Sequence, residues 1–180
     1  IPLSPRLTQD RSGTWGAVWA EGDGLIGEVV YGRVDGGGTV AASSVGAGPG
    51  TIRFPDLDFD ASNGAWLAWA RESGRRAAVC VRHPGSGRIV EIGSEGLAAV
   101  SGVRILAGGP AGIWLFWSGR GSGRDEIFWS RFDGASWSPA HVAEMVVTSA
   151  FIPPLALYWH LRGRWRFRDT TTNTIRRPPS

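Results

Sequence analysis

Lysine is missing from this chain: all 19 basic residues among its 180 are arginine, a pattern that reads as coding bias rather than as a surface built for a partner. Cysteine is nearly missing too. The one thiol, Cys80, excludes an internal disulfide, and its place in the apolar run "AAVCVR" marks it as a small packing residue that says nothing about redox compartment. No apolar stretch approaches the roughly 20 residues of a membrane-spanning helix. The opening "IPLSPRLTQD" carries neither an initiating Met nor a leader pattern, which suggests a processed or truncated product. Tyrosine occurs only twice, a scarcity that bears on catalysis below.

What is abundant points to short strands. With 42% apolar and 19% charged residues the chain can bury a real core and is not of a disordered type. Its 27 Gly and 11 Pro are spread between apolar runs, as tight turns between strands would be, so helix is not expected. The net charge of +3 is lopsided. Residues 1–156 hold 13 Arg against 15 acids, while residues 157–180 hold 6 Arg against Asp169 alone. The basic character belongs to the C-terminal end.

The chain repeats itself. "VVYGRVDGGG" from Val29 returns as "IFWSRFDGAS" from Ile127, a shift of 98 residues that puts Arg33 on Arg131 and Asp35 on Asp133. "LTQDRSGTWGAVWA" from Leu7 superimposes on "LDFDASNGAWLAWA" from Leu57 at a shift of 50, matching Asp10 to Asp60 and Trp19 to Trp69. "ILAGGPAGIWLFWS" from Ile105 follows at a shift of 48, matching Trp66 to Trp114 and Trp69 to Trp117. A shortened fourth copy, "LALYWHLRGRWRFRDT", starts at Leu155.

Within the second copy four strands are expected at about 55–60, 65–71, 77–82 and 88–92, separated by the turn sequences "ASNG", "ESGRR" and "HPGSG". The strand "AWLAWA" is apolar on both alternating faces, so it must be covered on both sides. Four-stranded antiparallel units, repeated about every 48 residues and covered by their neighbours, describe the blades of a β-propeller. A β-sandwich rarely repeats at that period, and a β-helix repeats at a shorter one. The expected architecture is all-β: a propeller of about four blades over residues 1–169, complete or part of a larger wheel. Its repeats run near 7–56, 57–104, 105–154 and 155–169, with a basic tail at 170–180. "IPLSPRL" could then lend a strand to the shortened last unit. Trp19, Trp66, Trp69, Trp114 and Trp117 are read as packing between blades.

"FPDLDFDASNGAWLAWA" and "EIFWSRFDGASWSPAHV" resemble the blades of sialidase-like propellers and related propeller lectins. Ser130, Asp133, Gly134, Ser136 and Trp137 form a degenerate version of the Asp-box S-x-D-x-G-x-T-W, with the Asp one place late; such an Asp holds loop amides. The resemblance implies the fold and leaves function open, because such blades carry enzymes, lectins and scaffolds. A sialidase would imply three Arg around a substrate carboxylate, a Tyr nucleophile backed by a Glu, and an acidic Asp. Tyr31 and Tyr158 are the only tyrosines, both read as packing residues, and no such set assembles.

Three local features bear on chemistry. Asp56, Asp58 and Asp60 fall on one face of a regular strand, but an EF-hand reading fails at Ala61 and Leu67, and Asp60 matches the turn residue Asp10. Arg162, Arg164, Arg166 and Arg168 share a strand face opposite Trp165 and Phe167, either as solvated charges that protect an edge or as an anion ladder. His83, His141 and His160 show no ligand spacing and no nucleophile pattern. The resulting expectation is a non-catalytic module that binds a glycan or protein surface through Arg33, Asp35, Arg131, Asp133, Arg164 and Arg166. Neither metal nor cofactor is expected, and nucleic acid is disfavoured. Oligomers through open blade edges are entertained, with a leaning to a secreted or cell-surface setting. The rival is a glycoside hydrolase of sialidase type, or a fragment of one.

Overall fold

The computed structural model describes residues 3–23, 25–34, 37–38, 40–93, 96–109, 112–121 and 124–139. The chain divides into two compact units, Ile1–Val142 and Ala143–Ser180. All described residues belong to the first, so the shortened fourth copy, Arg164, Arg166 and the basic tail lie outside them, as does Asp35.

The described residues are all-β, with no helix. β1 (Leu3–Gln9), β2 (Trp15–Gly22), β3 (Ile26–Val34) and β4 (Val40–Pro49) form a first antiparallel sheet in simple sequential order. β5 (Thr51–Phe59), β6 (Ala65–Ser73), β7 (Arg76–Arg82) and β8 (Ile89–Ile92) form a second in the same order. β9 (Ala99–Leu106), β10 (Ile113–Arg120) and β11 (Asp125–Phe132) form a third. The four expected strands of the second copy are all present. The N-terminal segment departs from expectation: it pairs with β2 as the first strand of its own sheet, Thr8 opposite Gly16, rather than completing a later unit. The turn chemistry at Asp10 joins it to the strand that follows, so the local pairing wins.

That turn is written twice in the same chemistry. The Asp10 carboxylate accepts from the amides of Ser12 and Thr14, each at 2.9 Å, and the Asp60 carboxylate from those of Ser62 and Gly64, each at 2.8 Å. Both turns need one residue at positive φ, supplied by Gly13 (φ 87°) and by Asn63 (φ 61°), the residue types that tolerate it. At the third position Gly108 stands where the other two copies have Asp.

The sheets pack face to face, with the second in the middle. On β6 the side chains alternate, as its doubly apolar sequence requires: Leu67 and Trp69 join Val18, Ala20 and Val29 of the first sheet in one core cluster, with Cys80. Trp66, Ala68 and Ala70 join Val103, Ile105, Leu115 and Trp117 of the third sheet in another. Each incoming indole sits where the sheet before it has glycine. A Cβ on Gly46 would come within 2.9 Å of the Trp69 ring, and one on Gly93 within 2.6 Å of Trp117. Trp66, Trp69 and Trp117 thus fill gaps between sheets, while Trp19 and Trp114, on the outward faces of the first and third sheets, are only half-buried. Cys80 is free and wholly buried, and burial pushes its thiol pKa up.

Candidate functional site

Antiparallel order sends the β5–β6, β7–β8 and β9–β10 turns, and the turn after β11, to one rim. There the loop 83–88 of the second sheet faces residues 132–139 of the third across a cleft of about 610 Å³. Its wall is aromatic. Trp66 stands 4.4 Å from His83 and 5.3 Å from Phe132, ring centre to ring centre, and Phe132 stands 5.4 Å from Trp137. These spacings lie within the range of edge-to-face and offset contacts.

Each ring is held from behind. The Trp66 indole N–H donates to Asp60 Oδ2 at 2.9 Å, so the carboxylate that closes the β5–β6 turn also fixes the cleft floor. Burial pushes Asp60 up, but the Trp66 indole and the Gly64 and Ser62 amides outweigh it, leaving its pKa below the ordinary 3.8. The His83 ring contacts the Pro84 carbonyl at 2.7 Å through Nδ1, which leaves Nε2 as its other polar atom. Trp137 is tied to Phe132 by an isolated antiparallel bridge, and Ser138 clamps the strand end, its amide donating to the Arg131 carbonyl at 2.8 Å. Arg88, Ser86, Ser136 and Ser138 supply polar parts of the lining. An apolar, ring-lined wall with a few polar groups at its edge suits a ligand that has both a flat C–H face and hydroxyls.

Two other hollows differ in kind. One of about 750 Å³ at the opposite rim is bordered by Arg71, Arg75 and Arg76 and has no ring; Arg71 is paired with Glu91. Another of about 560 Å³ lies along the inner strands beside Arg6, Phe54 and Arg104. The chain matches no model of a known protein family, and no curated protein is similar to it. The site therefore rests on its own geometry.

The residues singled out in the sequence separate. Asp133 Oδ1 accepts the amides of Ala135 and Ser136, both at 2.8 Å, and these amides, Ser136 first, hold its pKa below 3.8. The carboxylate thereby shapes the turn whose Gly134, Ala135 and Ser136 line the cleft. Arg131 lies over the Trp114 ring at 5.4 Å, on the sheet face turned away from the cleft wall. Its repeat partner Arg33 instead donates to Asp10 Oδ2 at 2.9 Å and lies over Phe59 at 5.5 Å. The difference has a simple origin: Gly16 stands where Trp114 does, and Asp10 where Gly108 does. Arg33 and Arg131 are thus not brought together.

The aspartate row is also resolved. Asp56 Oδ2 accepts the Ile105 amide at 2.9 Å, and Asp58 Oδ2 the Ala107 amide at 2.7 Å, both on the inner edge of the third sheet. The register of β5 shifts just before the row, between Arg53 and Asp56, with Phe54 at φ 52°; from Asp56 onward the pairing is regular, so Asp56 and Asp58 share the face turned to the third sheet. Among the described residues no group of three or more His, Cys, Asp or Glu is placed to hold a metal ion. His83, Phe132 and Trp137 were not picked out as site residues. Their one signal was that "RFDGASW" ends in an indole at a turn.

Proposed function

We propose that the three sheets are consecutive blades of a β-propeller and that the cleft between the second and third is a glycan-binding site without catalysis. What supports the architecture is the recurrence of one packing rule: Trp69 and Trp117 each face the sheet before, Trp66 faces the sheet after, and Trp19 and Trp114 take the matching positions on the outward faces of the first and third sheets. Such units arranged radially are propeller blades. The observation that carries the function is the aromatic wall of Trp66, His83, Phe132 and Trp137. Aromatic faces pack on the C–H side of a sugar while Arg88, Ser86 and His83 can bond its hydroxyls.

The hydrolase reading is less well supported by this cleft. A sialidase-type site would need a Tyr nucleophile beside its carboxylates, and the described lining residues include no Tyr. Among the described lining residues the carboxylate is Glu91, and it is already paired with Arg71. No helix among the described residues is long and apolar enough to cross a membrane.

A glycan array read beside a fluorogenic sialoside assay tests the proposal. Binding is expected without turnover, lost at least tenfold in Trp137→Ala and weakened in His83→Ala. Turnover that an Arg substitution abolishes would favour the hydrolase, and neither binding nor turnover would leave a scaffold.

A further inference from the structure

Among the described residues the second sheet is covered on both faces, and the first and third each have one face turned outward. Repeat-matched residues measure the difference. Leu57 and Ile105 are 5% and 2% exposed, whereas Leu7, their partner on the outward face of the first sheet, is 61% exposed. Leu7, Trp15 and Ile26 all point to that face, as strand alternation and pairing place them. Leu106 and Ile127 point to the outward face of the third sheet, opposite Trp114 and Ser118. These account for five of the seven large apolar residues exposed among the described residues. Exposed apolar side chains gathered on two faces, rather than scattered, mark an interaction surface.

The two faces are complementary. The outward face of the first sheet has the position occupied by Trp69 and Trp117, the side that receives a preceding sheet. The outward face of the third has the position occupied by Trp66, the side that is received. Charge agrees. Glu21 and Glu28 stand directly opposite one another on the outward face of the first sheet, a like-charge pair that costs stability unless a cation attends it. The outward face of the third carries Arg104, Arg120 and Arg131 against Asp125, which is paired with Arg120 at 3.1 Å, so the face keeps an excess of positive charge.

We propose that a second copy of this chain covers these faces head to tail, the third sheet of each copy packing on the first sheet of the other. The pair closes because each copy offers both faces, and it gives a wheel of six described sheets, within the four to eight of known propellers. The interaction uses sheet faces, not the strand edges suggested by the sequence. It rests on the radial-stack reading and is independent of glycan binding.

Sedimentation equilibrium on the full chain should give twice the 19.2 kDa chain mass, without growth at higher concentration. Leu7→Asp and Ile127→Asp, both substitutions of exposed side chains, should each halve that mass. Mixed together they should recover a two-chain species, since one intact contact survives between the unaltered faces. A mass of 19.2 kDa for the unsubstituted chain, with residues 140–180 or nothing covering the faces, would overturn the proposal. So would a dimer that Ile127→Asp leaves intact, because that would mean like faces meet. Circular dichroism of each variant separates lost pairing from lost folding.

Discussion

Between the first and second sheets the contact is mainly apolar: Phe59 and Leu57 lie against Gly16, Trp69 against Gly46, and the charged links are Arg33 to Asp10 within the first sheet and a long 3.8 Å approach of Arg6 to Asp56. Between the second and third, two carboxylates reach across to backbone. Asp56 and Asp58 take the amides of Ile105, Ala107 and Gly108, which an inner edge strand would otherwise leave without partners. The matched positions on β1 are Arg6 and Thr8, whose side chains are not carboxylates. One repeat can therefore keep its packing rule while changing how its sheets are latched, and carboxylate-to-backbone bonds from Asp56 and Asp58 hold the second contact.

Removing an indole should have the largest effect. Trp117→Ala should cost about 3–5 kcal/mol in chemical denaturation, and Trp69→Ala a similar amount, because each empties a whole gap between sheets. If one proved silent, the two contacts would not be equivalent in packing. Next come the glycines under those rings. Gly46→Val should destabilise by about 1–3 kcal/mol through overpacking, and Gly93→Val by more, since Gly93 also has φ 63°.

Asp56→Ala should cost about 1–3 kcal/mol by leaving the buried Ile105 amide without an acceptor, and Asp56→Asn less, because an amide oxygen still accepts. An equal loss for both would place the effect in charge rather than in the hydrogen bond. The smallest effect is on acid response, and its sign differs between groups. Burial first, only partly offset by the Ile105 amide, raises the Asp56 pKa above 3.8. Its contribution to stability is complete below 3.8 and is lost as pH rises through the raised value. Asp10 is held below 3.8 by the Ser12 hydroxyl and then the turn amides, as Asp60 and Asp133 are held by theirs. Their stabilisation is present above 3.8 and is lost as pH falls through the lowered values. Carboxyl titration followed by NMR should place Asp56 above 3.8 and the three turn aspartates below it.

The sheets were legible because their signals are local. Asp10 and Asp60 announce the same turn, Gly and Asn mark its positive φ, and the alternation of Trp66, Leu67, Ala68 and Trp69 requires cover on both sides. The partners of Asp56 and Asp58 were not legible because they are backbone amides 49 residues away, which no side-chain pattern reveals. The cleft was hidden for a similar reason. Trp66, His83, Phe132 and Trp137 belong to two sheets and meet only when these stack, while the repeated Arg33 and Arg131 attract notice by sequence and then part company in space.

The latch between the second and third sheets is tested most directly by amide hydrogen exchange at Ile105 and Ala107. Both amides point away from their own sheet, so their protection depends on the neighbouring carboxylates. The stacked arrangement predicts slow exchange like that of β10, becoming fast in Asp56→Ala and Asp58→Ala respectively. Exchange at the rate of a solvent-facing edge strand in the unsubstituted chain would contradict it.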